Sequence, residues 1–565
     1  MSLFSSMQLA SNTLRTNEIA LQVAGQNIAN SNTPGYIREE VQLTPAATQR
    51  NGKLLLGLGV QVEAVVQKID RFLEERLRGA VSERVNAETQ ENAFAQLEGV
   101  IGEMSDTDLS TILTSFFSSV ADILNQPESV SVRNLAALQG VTVSREINRL
   151  YSRTAEMRSD LNDRIIDMSD NINRLTHEIR DLNIKIADTE GGNTSASDAV
   201  GLRDQRLIAL EELAELINIR IQEQPSGGLV VYSGGDFLVF EGIAREVEVV
   251  LDSDRGLSIA DIHLVETDAP LDPTGGELRG LLDARDQVMG GFLSNLDDFA
   301  QTLAFEFNKL YSRGQGLRGF EQVTSEFQVD DVDEPLSAAG LDYTPENGAF
   351  QIMVHNTQTE QTLTTDIVVD LNGFGQDLTL EDLAEQLDAV EGLAATTTAD
   401  KRLSITTVSD ELEFAFAGDT SGVLAALGIN TFFSGTGASN LGVSEVVRDD
   451  PAKFAASAGG IRHDTENAID LAAFLDFRIE SKNSASLSVL YDQMIGETTQ
   501  ASSITRAEAD GARVFEETLR GQKLAISGVS LDEEAVRMIA FQRAYQASAR
   551  YIATLDELFE ILVSL

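Results

Sequence analysis

Two heptad repeats of apolar residues, one near each end of the chain, constrain its fold more than any other feature. Apolar positions alternate at spacings of four and three over residues 3–28 and again over residues 541–562. This spacing is typical of a coiled-coil seam, which needs a partner helix to cover it. The two segments are therefore predicted to pair with each other, although docking on a globular core would produce the same stripes. The members are Leu3, Met7, Ala10, Leu14, Asn17, Leu21, Ala24 and Ile28, and Phe541, Tyr545, Ser548, Ile552, Leu555, Phe559 and Leu562.

Two further heptads lie inside the chain. One runs unbroken from Leu161 to Ile186, which as a helix would span about 39 Å. The other runs from Met289 to Leu310. The residues between the apolar positions of the first are mainly polar and charged, so its outer face is expected to be solvated. Helices of this length favour a rod built as a bundle.

Strand-like sequence interrupts the helical sequence twice. The first interruption follows a turn-rich break at 191–198 and a short helix over 204–216. The second begins after Gly319 and includes a short helix whose start has the spacing of a capping box, Thr379 and Asp382. The predicted strands are 217–222, 229–232, 237–240, 350–354, 367–369 and 412–416.

The predicted fold class is multidomain α+β, with a terminal α-helical coiled coil, a long-helix bundle rod and two inserted β-rich domains. The chain length of 565 residues suits about four domains. The predicted domains are 1–40 with 523–565 (terminal), 41–190 with 277–318 and 451–522 (rod), 191–276 (first insert) and 319–450 (second insert).

The charge balance excludes whole classes of function. The chain has 90 acidic and 42 basic residues, a net charge of −48, so a nucleic-acid partner is not expected. No cysteine is present, which excludes disulfides and thiolate sites. No apolar run is long enough for a membrane span, and the first residues do not have the pattern of a cleaved signal peptide. The acidity is concentrated in residues 320–450, which hold 25 acidic and 3 basic residues and are expected to form a solvated, outward-facing surface.

Catalytic and cofactor motifs are weak. Gly314, Gly316 and Gly319 have the spacing of a dinucleotide loop but follow a predicted helix where that motif requires a strand, so a loop that ends the helix is favoured. The four histidines are scattered, without metal-ligand spacing. No catalytic residue, cofactor or metal site is predicted, and the chain is not expected to be an enzyme.

Five segments carry a resemblance to a known family. Residues 25–36, GQNIANSNTPGY, resemble the N-terminal signature of the bacterial flagellar axial proteins, the rod, hook and hook-associated proteins. Residues 527–535, SGVSLDEEA, and 541–549, FQRAYQASA, resemble their C-terminal signature. The blocks LRDQR at 202–206 and GLLDARD at 280–286 are similar to the hook-associated members that join hook to filament, and ordinary hook and rod proteins lack them.

The resemblance implies a structural function. Such proteins pair their terminal helices, stack inside the axial tube and form a junction ring, with the hook protein and the next hook-associated protein as neighbours. It also implies an export chaperone on the C-terminal helix, passage through the type III export apparatus without a cleaved signal, and an extracellular position in the flagellum. The implied polymerisation interface comprises Leu3, Met7, Leu14, Leu21, Ile28, Asn30, Tyr36, Phe541, Tyr545, Ile552, Leu555, Phe559 and Leu562.

Two alternatives remain open at this point. The nearer is another axial protein, namely a hook, rod or filament subunit. The more distant is an exported metal- or glycan-binding protein that uses the acidic insert 319–450.

Overall fold

A computed structural model of the protein describes residues 3–51, 54–102, 108–191, 199–254 and 257–564. Of the predicted turn-rich break at 191–198, residues 192–198 lie outside the described residues. Long helices and several small antiparallel sheets make up the chain, which confirms the predicted multidomain α+β class.

The α-helices include four of 31 residues or more. In chain order they are α1 (Leu3–Ala29), α2 (Arg71–Ile101), α3 (Leu109–Asn125), α4 (Val130–Glu190), α5 (Val200–Leu216), α6 (Gly276–Asp283), α7 (Gly290–Tyr311), α8 (Leu380–Asp388), α9 (Val423–Leu427), α10 (Glu445–Asp449), α11 (Glu466–Ala473), α12 (Leu487–Ser527) and α13 (Leu531–Ser564). A π-helical turn covers Ala284–Met289, and 3-10 turns cover Pro451–Lys453, Phe474–Asp476 and Glu480–Lys482.

The strands are short and pair in antiparallel fashion. They are β1 (Glu39–Pro45), β2 (Thr48–Asn51), β3 (Leu54–Gly57), β4 (Val60–Gln67), β5 (Arg220–Glu223), β6 (Leu229–Ser233), β7 (Asp236–Phe240), β8 (Ile243–Ala244), β9 (Val247–Asp254), β10 (Leu257–Leu264), β11 (Ala269–Pro270), β12 (Gln322–Thr324), β13 (Gly348–Asn356), β14 (Gln361–Val369), β15 (Leu393–Thr397), β16 (Leu403–Thr407), β17 (Leu412–Ala417), β18 (Phe433–Ser434) and β19 (Gly442–Val443).

The chain folds into two compact units. The first comprises Met1–Ala93, Ser159–Arg285 and Ser503–Leu565, and the second comprises Phe94–Arg158 and Asp286–Ser502. The predicted division into four domains stays a prediction.

The first unit contains the sheets β1–β4, β2–β3, β5–β6–β7–β8 and β11–β10–β9. Its strands β5, β6 and β7 confirm the strands predicted for the first interruption, to within a few residues. Leu73 and Leu77 of α2 pack with Leu519 of α12 in a small buried cluster. This cluster holds the two helices together across more than 400 residues of sequence.

The apolar heptad of α4 is buried from Leu161 to Ile186, as its spacing predicts. The outer face of the same stretch is exposed, as expected. One polar row beside the apolar seam is nevertheless buried, and it repeats every seven residues: Asn162, Ser169, Thr176, Asn183 and Glu190.

The buried polar row of α4 is stabilised by bonds to strand backbones. Asn162 Oδ1 accepts from the Ala260 N–H of β10 at 2.6 Å. Asn183 forms a reciprocal pair with Leu229 of β6, donating to its carbonyl at 3.0 Å and accepting from its N–H at 3.1 Å. Backbone groups of distant strands therefore form the hydrogen bonds that water would form with these side chains at an exposed position.

The second unit has an aromatic core. The rings of Phe116, Phe307, Phe432 and Phe433 lie within 6 Å of one another, in tilted and edge-to-face arrangements. Gly140 of α4 faces this cluster, and a Cβ there would lie 2.5 Å from the Phe432 ring. Only glycine fits at that point of the helix.

Several predictions for the second interruption are confirmed. Strands β13, β14 and β17 form one sheet in the order β14–β13–β17. The Thr379 hydroxyl accepts from the Asp382 N–H at 3.1 Å, and the Asp382 carboxylate accepts from the Thr379 N–H, so the capping box begins α8. Gly316 follows α7 in a loop, where a Cβ would lie 2.6 Å from the Ala452 carbonyl, which explains this glycine by close packing.

Within the described ranges, no helix combines the length and apolar character that crossing a bilayer requires. The same ranges contain no cluster of three or more His, Cys, Asp or Glu side chains suited to a metal ion.

Candidate functional site

The helices α1 and α13 form an antiparallel pair in the first unit. Near the C-terminus of α1, Asn27 contacts Glu534 of α13 at 3.1 Å. At the opposite end of the pair, the rings of Phe4 and Phe559 lie 6.0 Å apart in an edge-to-face arrangement. The two segments with terminal heptads therefore lie side by side along most of their length.

The structure places the predicted interface residues on this pair and on the loop after α1. Leu555 is buried and Leu562 is 59% exposed. The others are half-buried: Leu3, Met7, Leu14, Leu21, Ile28, Asn30, Tyr36, Phe541, Tyr545, Ile552 and Phe559. Whether they form contacts between subunits stays a prediction.

The deeply buried residues of α1 lie partly on the heptad, at Ala10, Asn17 and Ala24, and partly beside it. They are mainly small and polar residues: Ser6, Ala10, Thr16, Asn17, Ala20, Val23, Ala24 and Asn27. Thr16 donates to the Val60 carbonyl of β4 at 3.1 Å, and Asn12 donates to the Leu58 carbonyl at 2.9 Å. The strand pair β1–β4 thus contacts α1 as well, which the terminal heptads alone do not indicate.

Asn27 is the centre of a polar cluster at the end of α1. Its Nδ2 donates to the Glu39 carbonyl at 3.0 Å and to Glu534 Oε2 at 3.1 Å. Its Oδ1 accepts from the Tyr36 hydroxyl and from the Glu39 N–H, each at 2.9 Å. One side chain therefore links α1, the loop that follows it, β1 and α13.

Arg38 and Glu534 form a buried ion pair beside this cluster. Arg38 Nη2 and Nε donate to Glu534 Oε1 at 2.7 and 2.9 Å, and the two side chains are 5% and 2% exposed. Glu533 accepts a further bond from Arg38 at 3.2 Å. Glu533 and Glu534 in the first turn of α13 thus bind the segment that follows α1. Their negative charges also favour the start of the helix.

The Pro34–Gly35 turn directs the chain into this contact. Gly35 has a φ of +75°, and a Cβ there would lie 2.6 Å from the Ile208 side chain of α5. Glycine is required because both the backbone conformation and the packing exclude a side chain. After the turn, the Arg38 N–H donates to the Ser527 carbonyl at 3.1 Å, next to the start of α13.

Asp204 of α5, in the block at 202–206, lies against the same segment. It accepts hydrogen bonds from the Gln67 side chain and from the Ile37 N–H. Burial, together with the Glu39 charge, raises the pKa of Asp204 to about 7 against the lowering effect of the Gln67 and Ile37 hydrogen bonds. Burial also raises the pKa of Glu39 and that of the Tyr36 hydroxyl, which neighbouring carboxylates raise further.

Sequence reasoning identified Tyr36 in this cluster but missed Asn27, Arg38, Glu534 and Asp204. Through its hydrogen bonds and ion pair, the cluster binds α1 to α13 and holds the two helices in register. A signal was present for each of the missed residues. Asn27 lies inside the N-terminal signature and Arg38 lies two residues after it, Glu534 belongs to an acidic triplet in the C-terminal signature, and Asp204 lies in the block at 202–206.

Three family models match the chain. "Flagellar hook-associated protein FlgK helical domain" matches residues 94–327, "Flagellar basal body rod FlgEFG protein C-terminal" matches 520–565, and "Flagella basal body rod protein" matches 7–36. The flagellar hook-associated protein 1 of Bacillus subtilis is 26% identical, over 100% of this chain and 98% of the relative. The chain is therefore similar to flagellar hook-associated protein 1 over its whole length.

Other relatives carry the same name. The flagellar hook-associated protein 1 of Escherichia coli is 24% identical and that of Salmonella typhimurium 22%, each over 98% of both chains. A solved structure, the flagellar hook junction protein FlgK from Burkholderia pseudomallei, has a TM-score of 0.49 and 14% identity, covering 80% of this chain and 100% of that one.

Proposed function

We propose that this chain assembles through α1 and α13 into the ring that joins the flagellar hook to the filament. The observation that carries the proposal is the set of large apolar side chains that the terminal pair leaves uncovered in the single chain. Phe4 is 78% exposed on α1, and α13 exposes apolar residues near its start and over its C-terminal part. These residues, called the α13 row below, are Leu531, Val536, Ile539, Tyr551, Leu558, Ile561, Leu562 and Val563.

Covering this row is the driving force for assembly. Each Å² of apolar surface removed from water contributes about 25 cal/mol, and contiguous exposed apolar surface is typical of protein interfaces. The buried polar cluster of Asn27, Arg38 and Glu534 supports the proposal differently, because it fixes the register of the helix pair before subunits meet. The thirteen predicted interface residues belong to the same proposal.

The similarity to flagellar hook-associated protein 1 supports the choice of neighbours. We infer that the ring contacts the hook protein on one side and the next hook-associated protein on the other. Before export, a chaperone covers the apolar row of α13, and the chain passes unfolded through the type III apparatus to an extracellular position without a cleaved signal. The four-part domain division, with 1–40 and 523–565 as the polymerising part, completes the proposal.

The ring acts by packing, without catalysis or a cofactor. A junction between two tubes of different stiffness has to transmit torque through subunit contacts. The paired helices supply those contacts, and nothing in the proposed role requires a bond to be made or broken.

Complementation of a gene deletion tests the proposal. The deletion strain is expected to make complete hooks and to shed filament subunits into the medium, and the wild-type gene restores filaments. A variant with Leu558→Glu and Ile561→Glu is expected to be exported and folded but not to restore filaments, because charges replace exposed apolar contacts.

The matched control is Gln546→Glu, which adds charge at an exposed polar position of the same helix. It is expected to restore filaments. Normal filaments in the deletion strain would overturn the junction role, and normal filaments with the double variant would overturn the role assigned to the α13 row. The amount of each variant in the medium separates failed export from failed assembly.

A further inference from the structure

A cavity of about 220 Å³ in the first unit lies between α2, α5 and the strands β5 and β6. Four arginines and three glutamates line it: Arg71, Arg78, Arg203 and Arg206, with Glu74, Glu75 and Glu223. This convergence of arginines is unusual in a chain that has 90 acidic residues and 42 basic ones. The cavity has no part in the contacts between α1 and α13.

Two of the four arginines are already neutralised. Arg203 bonds to Glu190 at 2.8 Å and to Glu223 at 2.9 Å. Arg71 pairs with the same Glu223 at 2.6 Å. The charges of these two guanidinium groups are therefore compensated by carboxylates of the same chain.

The other two have no carboxylate partner among the described residues. Arg78 is 8% exposed, and its guanidinium has neither a hydrogen bond nor a carboxylate within 4.0 Å in the described ranges. The nearest acid on its own helix, Glu74, pairs instead with Lys523 at 3.1 Å.

Arg206 is buried among neutral partners. It is 4% exposed and uses Nη1 for the Asn183 side-chain oxygen and the Gly227 carbonyl, both at 2.8 Å. Its Nε and Nη2 have no partner in the part of the chain that the structure describes. Burial lowers the pKa of both Arg78 and Arg206, and it outweighs the opposing charges of nearby glutamates that do not contact the two guanidinium groups.

We propose that this cavity binds a small oxyanion of the phosphate or polycarboxylate class between Arg78 and Arg206. A guanidinium presents a planar fork of N–H donors that matches the oxygens of such an anion. The volume equals that of about seven water molecules, enough for one such anion with residual water. The anion would contact both guanidinium groups directly, which no carboxylate of the described residues does, and would tie α2 to α5.

Titration calorimetry of the full-length protein with sodium phosphate tests the proposal, with citrate as a second probe. Sodium chloride at matched ionic strength gives the reference for screening. Saturable binding of one phosphate per chain is expected, with a rise in melting temperature of about 2–4 °C at tenfold excess over Kd. Arg78→Gln is expected to weaken binding at least tenfold.

Two further variants on α2 make the test decisive. Glu75→Gln removes an exposed negative charge that lines the cavity and is expected to tighten binding, a gain that a folding defect cannot mimic. Arg76→Gln, at an exposed position of the same helix outside the lining, is expected to leave binding unchanged. Heats equal to those of sodium chloride, or equal effects of Arg78→Gln and Arg76→Gln, would overturn the site. If Arg78→Gln fails to fold, unchanged affinity in Glu75→Gln overturns it.

Discussion

Arg38 and Glu534 lie 496 positions apart in the sequence and form a buried ion pair at 2.7 Å. The pair connects the segment that follows α1 to the first turn of α13. Since the two helices that it joins carry the proposed assembly surface, its loss should disturb them before any other part of the chain.

Arg38→Ala should destabilise the terminal pair by about 3–5 kcal/mol, because it leaves the Glu534 carboxylate buried without its counter-ion. Hydrogen exchange of the α1 and α13 amides measures this locally. Arg543→Ala, an exposed arginine of α13, is the matched control and should leave protection unchanged. Equal protection in the two variants would contradict a stabilising role for the pair.

Tyr36→Phe should cost about 0.5–1.5 kcal/mol, the usual contribution of one hydrogen bond, because Asn27 Oδ1 keeps its bond from the Glu39 N–H. Asn27→Asp should cost more, since it places a second carboxylate against Glu534. Chemical denaturation monitored by exchange in α13 compares the two. A larger effect of Tyr36→Phe would show that Asn27 is not the centre of the cluster.

The stability of the first unit should fall as pH rises from about 4 to about 7. Asp204 has a folded-state pKa of about 7 against an ordinary 3.8, so the folded state holds a proton that the unfolded state has lost over this range. Glu39, whose pKa is also raised, contributes in the same direction. Asp204→Asn should flatten the slope, and thermal unfolding at several pH values measures it. A variant with the wild-type slope would assign the pH dependence to other groups.

Asn183→Ala should destabilise the first unit by about 1–3 kcal/mol for each buried group that it leaves unpaired, such as the Leu229 N–H. Arg206 loses one bond as well but keeps its bond to the Gly227 carbonyl. Asn171→Ala on the same helix is the control, because Asn171 is exposed and bonds only its own helix. Urea unfolding compares them. Equal midpoints would mean that water replaces the Asn183 bonds at no cost.

The heptads made the long helices predictable, because an apolar side chain at every third or fourth position can be buried only on a helix. The same reasoning did not identify the buried row from Asn162 to Glu190. A polar side chain has no preferred environment until its partner is known, and those partners include strand residues far along the chain. Thr379 and Asp382 were predictable because a capping box is local.

The candidate site was likewise predictable only in part. The pairing of α1 with α13 was expected from periodicity, whereas the Arg38–Glu534 contact depends on how the Pro34–Gly35 turn directs the backbone. Asp204 was present in a recognised block of sequence, but nothing local indicates that it packs against Ile37. Periodicity therefore predicts elements and their partners, and tertiary packing decides which polar groups meet.

Because α1 and α13 lie far apart in the sequence, they are synthesised at different times. A ribosome begins α13 about 500 residues after it completes α1, so for most of its synthesis the nascent chain contains α1 without its partner. The Glu534 carboxylate is made equally late. The terminal pair can therefore close only after α13 has been synthesised, and α1 has to remain unpaired until then.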